Sequence, residues 1–276
     1  MATPIEINNV DVNKIRIQKS KGSTHKSGEM FNVYHDNQRL EIILPEMIAP
    51  FGAKILTDYG CKISFPLSFD GIKGTDSRAK RLAKAHKKLI EIQDKIQSII
   101  LANPHEYFND KKKPEVYKER IKPFIVSSES KDGKKYDDLF RLEIQKRVPG
   151  EKDKDKSAEE IEALKKEFSS KMGMPLLKNK SKQVVHVNQD NVTEVLSWGT
   201  KIKPVVSFAY LWIMKTGERP CTPKWYLIHG LITEQQKMDL DLNPDEEEAV
   251  DEDSIEEDEE EEEEFEDDME VSTAQA

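Results

Sequence analysis

Between Val205 and Met214 the chain reads VVSFAYLWIM. On an extended strand the even positions Val206, Phe208, Tyr210, Trp212 and Met214 share one face, and Val205, Ser207, Ala209, Leu211 and Ile213 share the other. Rings spaced two residues apart can stack on nucleic-acid bases, and each stack contributes about 1–3 kcal/mol whatever the base, because every base has a π-face. Both faces are apolar, so the run reads either as a central strand covered on both sides or as one with a face left for something else to cover. Phe208, near the middle, reads as core, while Tyr210 and Trp212 read equally as core or platform. Trp198 and Trp225 stand near Lys201 and Lys224, where a ring beside a cation suits a nucleic-acid groove and equally a structural cap. Lys122, Lys134, Lys135, Arg141, Lys146, Arg147, Lys201 and Lys203 flank or alternate along the expected strands. On a barrel they would line a groove that tracks a single-stranded backbone. Tyr210, Trp212 and Trp225 with these eight cations are the candidate contacts.

Other chemistry is poorly supported. His25, His35, His86, His105, His186 and His229 are scattered and form no H-x-x-x-H pair. No GxxxxGK[ST] phosphate loop and no Cys–His zinc spacing occurs, so no catalytic residue, metal or cofactor is expected. Phe69-Asp70-Gly71 reads as ordinary loop chemistry. Cys61 and Cys221 match no C-x-x-C pattern, and MATPIEINNVDVNK lacks the apolar stretch of a secretory signal; a reducing intracellular compartment is the expectation. The sequon Asn191-Val192-Thr193 is then accidental. No apolar run reaches the length of a transmembrane span.

Charge is unevenly divided. Of the 53 Asp and Glu residues, 22 lie in Asp239–Ala276, which has no Lys or Arg; residues 1–238 keep 31 acids against 43 bases, a formal +12. A cationic body points to a polyanionic partner, since neutralising phosphates releases counterions regardless of sequence. Composition predicts that residues 239–276 are a disordered tail. Such a tail either adds solubility alone or competes for a basic groove on its own chain. Phe265 and Met269, apolar within EEEEEEFEDDME, look like a recognition element for another protein.

These residues must be carried by a scaffold. Residues 1–28 read as a flexible basic arm, and 29–238 as one domain. FNVYHD, the Asp36-Asn37 turn signal and RLEIILPE predict a hairpin. Strands follow near Ala53–Leu56 and Cys61–Phe69, where Ile63, Phe65, Leu67 and Phe69 alternate. A helix starts at Thr75, Asp76 or Ser77 and runs to about Ala102, stopped by Asn103-Pro104, with Leu82, Ala85, Leu89, Ile92, Ile96 and Ile99 as its apolar stripe. Arg78, Lys80, Arg81, Lys84, Lys87 and Lys88 crowd its first half, either as a solvated face or as a phosphate-contacting one. KPFIVS and DLFRLEIQKR add strands, the second with Phe140, Leu142 and Ile144 facing one way. Residues 149–171 are a charged insertion. Val184–Val187, a short helix near Val192–Leu196, Thr200–Lys215 and Pro223–Thr233 complete the order, with Gly217 joining the last two strands. Strands, one amphipathic helix and more strands predict a mainly-β fold, an OB-like small barrel with an inserted helix, although other small barrels and sandwiches share that order.

The hairpin, the helix at Thr75–Ala102, FRLEIQKR and the closing pair GTKIKPVVSFAYLWIMKTG and KWYLIHGLI, followed by the acidic tail, resemble acidic-tailed single-stranded DNA-binding proteins of phages and nucleocytoplasmic large DNA viruses. The likeness covers roughly residues 28–238 in layout, plus the tail. It implies an OB fold and sequence-independent binding of single strands in viral replication, repair or recombination. It also implies a tail that occupies the cleft and recruits a DNA polymerase or helicase. Two departures stand out: Phe265 is followed by 11 residues ending in VSTAQA, and the 149–171 insertion has no counterpart. The expected setting is the host nucleus or a cytoplasmic viral replication site, with no membrane partner and a second copy of the chain as a further partner. The rival reading is an acidic histone chaperone or basic-protein escort, in which the tail is the working part. An RNA-binding barrel also fits, because stacking and phosphate contacts read the sugar weakly.

Overall fold

Ile5–Glu6 (β1) and Ile15–Lys19 (β2) are strands, where the sequence suggested an arm. β2 pairs antiparallel with β3 (Gly28–His35) from Ile15↔His35 to Lys19↔Phe31, and Ile7, Val10 and Ile15 are buried. The arm expectation is therefore corrected for residues 3–20, which form β1, β2 and two intervening 3-10 turns, Ile7–Asn9 and Val12–Lys14. The computed structural model describes residues 3–20, 27–56, 62–127, 135–147, 156–160, 163, 174–188 and 190–235; the side chains of 62 and 145–147 fall outside that set. The chain divides into Met1–Lys237 and Met238–Ala276, and the second unit lies outside the described residues.

The expected hairpin forms. β3 turns through Asp36 and Asn37, at φ 51° and 63°, into β4 (Gln38–Arg39). Two left-handed residues match the twist of a tight hairpin, and Asp and Asn tolerate that conformation best among residues with side chains. β5 (Glu41–Ile43), β6 (Met47–Ile48), β7 (Lys54–Leu56), β8 (Lys62–Ser64) and β9 (Leu67–Ser68) follow. Ile63, Phe65, Leu67 and Phe69 are all buried, as their alternation predicts.

Helix α1 spans Ser77–Ala102, and the Asp76 carboxylate accepts from the Ala79 N–H at 2.6 Å, the bond an N-cap supplies. Its stripe is buried except that Ile100, not Ile99, closes it. Asn103-Pro104 ends α1 but also starts α2 (Pro104–Phe108), and Pro114 opens α3 (Pro114–Arg120). Proline suits a first helical turn, where its missing N–H would have no partner. Then come β10 (Ile125–Val126), β11 (Leu139–Phe140), β12 (Glu143–Arg147), β13 (Leu176–Lys178), β14 (Val184–Val185) and the short α4 (Val192–Val195). β15 (Lys201–Met214) and β16 (Cys221–Glu234) form the longest pair, linked through Gly217 at φ 64°.

The main path of the sheet runs β10-β11-β9-β6-β15-β16-β12-β8-β7, with β3 and β5 also pairing along β15. This mainly-β sheet curls as a half-barrel around the core, which takes in the apolar stripe of α1. One side-chain brace ties α1 to the sheet: His86 Nε2 lies 2.8 Å from Asp138 Oδ2, and Ser127 Oγ donates to Asp138 Oδ1 at 2.5 Å. The carboxylate stands between hydroxyl and imidazole, so the ring cannot take the serine proton and the trio is no nucleophile relay.

Burial works to raise the Asp138 pKa, but the Ser127 and His86 contacts and the nearby Lys73 charge bring it below its ordinary 3.8. A lowered folded-state pKa gives stability that is present above the unfolded-state value and lost as pH falls through the folded one. Asp138→Asn should therefore flatten the loss of unfolding free energy as pH falls below about 4. Urea titrations across that window check this, and an unchanged slope would refute it.

Candidate nucleic-acid interface

Strand β15 changes which side faces the core partway along its length. Ile202, Val206 and Phe208 are buried, and beyond them Leu211 and Ile213 are buried instead. The pairing with β16 passes from Phe208↔Trp225 to Tyr210↔Lys224, leaving Ala209 as the extra residue of a bulge. Before the bulge the outer side carries Lys201, Lys203 and Val205, with Ser207 buried beyond them; after it, Tyr210, Trp212 and Met214. The expectation that Phe208 shares a face with Tyr210 and Trp212 is corrected. Lysines and rings that strict alternation would separate lie instead along one outer face.

Trp212 is half-buried opposite Met30 of β3 and Thr222 of β16. Its ring lies against Gly28, where an added Cβ would come 2.4 Å from the indole Cζ2 and 2.8 Å from the Ile213 carbonyl oxygen. Only glycine lets the backbone pass that close. Tyr210 faces Lys224 across the ladder, and its hydroxyl lies 3.1 Å from that of Tyr226, with ring centroids 6.3 Å apart and nearly perpendicular. Burial, with the Tyr210 contact, pushes the Tyr226 phenol far up, so it stays a neutral hydrogen-bonding group. Glu143, opposite Tyr226 on β12, forms an ion pair with Lys224 and holds it beside the tyrosines. On the β3 hairpin, Tyr34 stands between Arg16 of β2 and Arg39 of β4, its two cross-strand neighbours. Rings that offer partial faces and cations that offer charge are what a flexible polyanion with flat bases requires.

The remaining sequence candidates fall in several places. Lys203 is exposed on the outer face, and Lys201 beside it is paired with Glu234 at 2.6 Å. Arg141 is exposed two residues before Glu143, with its N–H donating to the Phe124 carbonyl. Lys135 is exposed; Lys122 is half-buried, its N–H donating to the Cys221 carbonyl, in a cleft with Glu119, Arg120 and Glu218. Lys134, Phe265 and Met269 lie outside the described residues, as do the side chains of Lys146 and Arg147, whose backbones belong to β12. Trp225 is a correction: it is 2% exposed, with ring centroids 4.5 Å from Phe208, 5.5 Å from Phe140 and 5.6 Å from Phe124. A ring enclosed by three others offers no face to a base.

Sequence reading missed Tyr226, Tyr34, Arg16 and Arg39. Tyr226 lies in a predicted strand, and alternation alone does not say which of the adjacent Trp225 and Tyr226 faces the core. The I-R-I alternation at Ile15–Ile17 was the available signal for Arg16.

No protein-family model and no curated protein matches the sequence. Among solved structures, the chain is similar to gp2.5, a single-stranded DNA-binding protein encoded by bacteriophage T7, at 10% identity and a TM-score of 0.38, covering 79% of this chain and 100% of that one. It is also similar to the single-stranded DNA-binding protein from bacteriophage Enc34, at 12% identity and TM-score 0.37, covering 80% and 92%. The Enc34 protein in complex with single-stranded DNA gives 13% identity and TM-score 0.39, covering 80% and 97%.

Proposed function

We propose that this chain binds single-stranded DNA without sequence preference along the outer face of β15 and β16. The observation that carries the reading is the bulge at Ala209, which brings Tyr210 and Trp212 onto the face that bears Lys201 and Lys203. Rings there take bases and cations take phosphates, so affinity is shared between a salt-insensitive and a salt-sensitive part. The +12 charge of residues 1–238 favours the same partner. The layout resemblance supports a role as a viral replication, repair or recombination accessory in the host nucleus or a cytoplasmic replication site. By its charge, segment 239–276 competes with DNA for the cations, and Phe265 and Met269 within it recruit a polymerase or helicase.

The test is a titration of the full chain and of a form lacking residues 239–276 with single-stranded DNA, duplex DNA and RNA of equal length, at two salt concentrations. The single DNA strand should bind tightest, more tightly still without the acidic segment, with log affinity falling by roughly 0.7 per phosphate contact for each decade of salt. Equal weak binding to all three polymers would overturn the reading and favour the basic-protein escort. Unchanged low-salt affinity after the deletion would remove only the competition.

A further inference from the structure

The first half of α1 carries a charge pattern that works against the helix itself. Lys80, Arg81, Lys84 and Lys87 are exposed, and among the described residues none forms an ion pair. By contrast, Arg78 reaches Glu46 at 3.8 Å and Lys88 reaches Glu91 at 2.5 Å. No acidic residue occupies the first turn, and Asp76 at the N-cap is the one carboxylate that faces Lys80 and Arg81 at the positive end of the helix dipole. Lys80 and Lys84 are four residues apart, and Arg81–Lys84 and Lys84–Lys87 are three apart; like charges that are neighbours on a helix surface destabilise it. A polyanion would turn each of these penalties into an attraction.

The face also has an address. Asp138, which binds His86 of α1, adjoins Leu139, and the pairings Leu139↔Ser68, Ser68↔Ile48 and Ile48↔Lys201 lead without a break to the lysine end of β15. Three strand spacings amount to roughly 15 Å of sheet. The exposed residues among the helix cations are Ala83 and Ile90, with no ring to receive a base.

We infer that the basic face of α1 is a second phosphate track, which takes the backbone of a strand already held by the rings of β15 and lengthens the occupied site. This rests on the proposed strand binding. The contact is to phosphates only, blind to base identity and fully salt-sensitive.

The full chain with Lys80, Arg81, Lys84 and Lys87 all changed to Gln, compared with a Trp212→Ala chain, tests it on oligothymidylates of about 6 and about 20 nucleotides, a range bracketing single-domain site sizes. The quadruple variant should bind the short strand within about twofold of the parent. Its salt slope for the long strand should be shallower by up to about 3, four contacts at about 0.7 each. Its melting temperature should hold or rise, which separates the effect from misfolding. An unchanged long-strand slope, or equal weakening at both lengths, would overturn the track. Trp212→Ala should weaken both lengths; if it weakens neither, the β15 reading fails whatever the helix variant does.

Discussion

Trp212→Ala should weaken binding of single-stranded DNA by about 1–3 kcal/mol, roughly 5- to 150-fold, while leaving the salt slope of binding unchanged. The indole is half-buried on the outer face, laid over Gly28 and flanked by Met30 and Thr222, so it is held in place before any base arrives. Removing it takes away a stacking surface and no charge. Lys203→Gln is the complementary case: it should reduce the slope by about 0.7 at modest loss of affinity, because it removes one phosphate contact and no ring. Fluorescence anisotropy at several salt concentrations measures both quantities. Full affinity in the Trp212→Ala chain would mean that bases do not stack there.

Trp225→Ala should produce the opposite pattern, a loss of about 3–5 kcal/mol in unfolding free energy with little change in the affinity of the molecules that remain folded. Phe124, Phe140 and Phe208 surround this ring, and its removal leaves a cavity that they cannot collapse into together. Urea unfolding should show a lower midpoint at a similar m-value. A midpoint close to the parent's would show that the cluster is not the centre of the core. The two tryptophans lie 13 positions apart in sequence and belong to different physics, one to recognition and one to cohesion.

Element existence was largely legible in the residues. Asp76 announces the start of α1, Asn103-Pro104 its end, and Asp36-Asn37 a turn, because each signal is a local hydrogen-bonding or backbone preference that survives tertiary context. What escaped reading depends on contacts that no local pattern records. β1 is too short to display a period, and Ile7, Val10 and Ile15 are buried because the sheet and α1 lie over them. The placement of Trp225 turned on which side of β16 meets the three phenylalanines. The outer face of β15 escaped for a different reason: two-residue alternation is a rule for an unbroken ladder, and an extra residue at Ala209 breaks it between Phe208 and Tyr210.

That extra residue makes the length of the strand part of what is inherited. Between Ile202 and Trp212 most positions can change identity one at a time and keep their side. The loss of one residue between Pro204 and Phe208, with the bulge kept, would turn Lys201 and Lys203 toward the core and Ile202 out to water, whereas the loss of Ala209 itself would close the bulge and leave Tyr210 and Trp212 outside. Length is thus constrained on the lysine side of the bulge and relaxed at Ala209 itself. The turn through Gly217, where an added side chain meets nothing within 4 Å, is the natural place for length to drift.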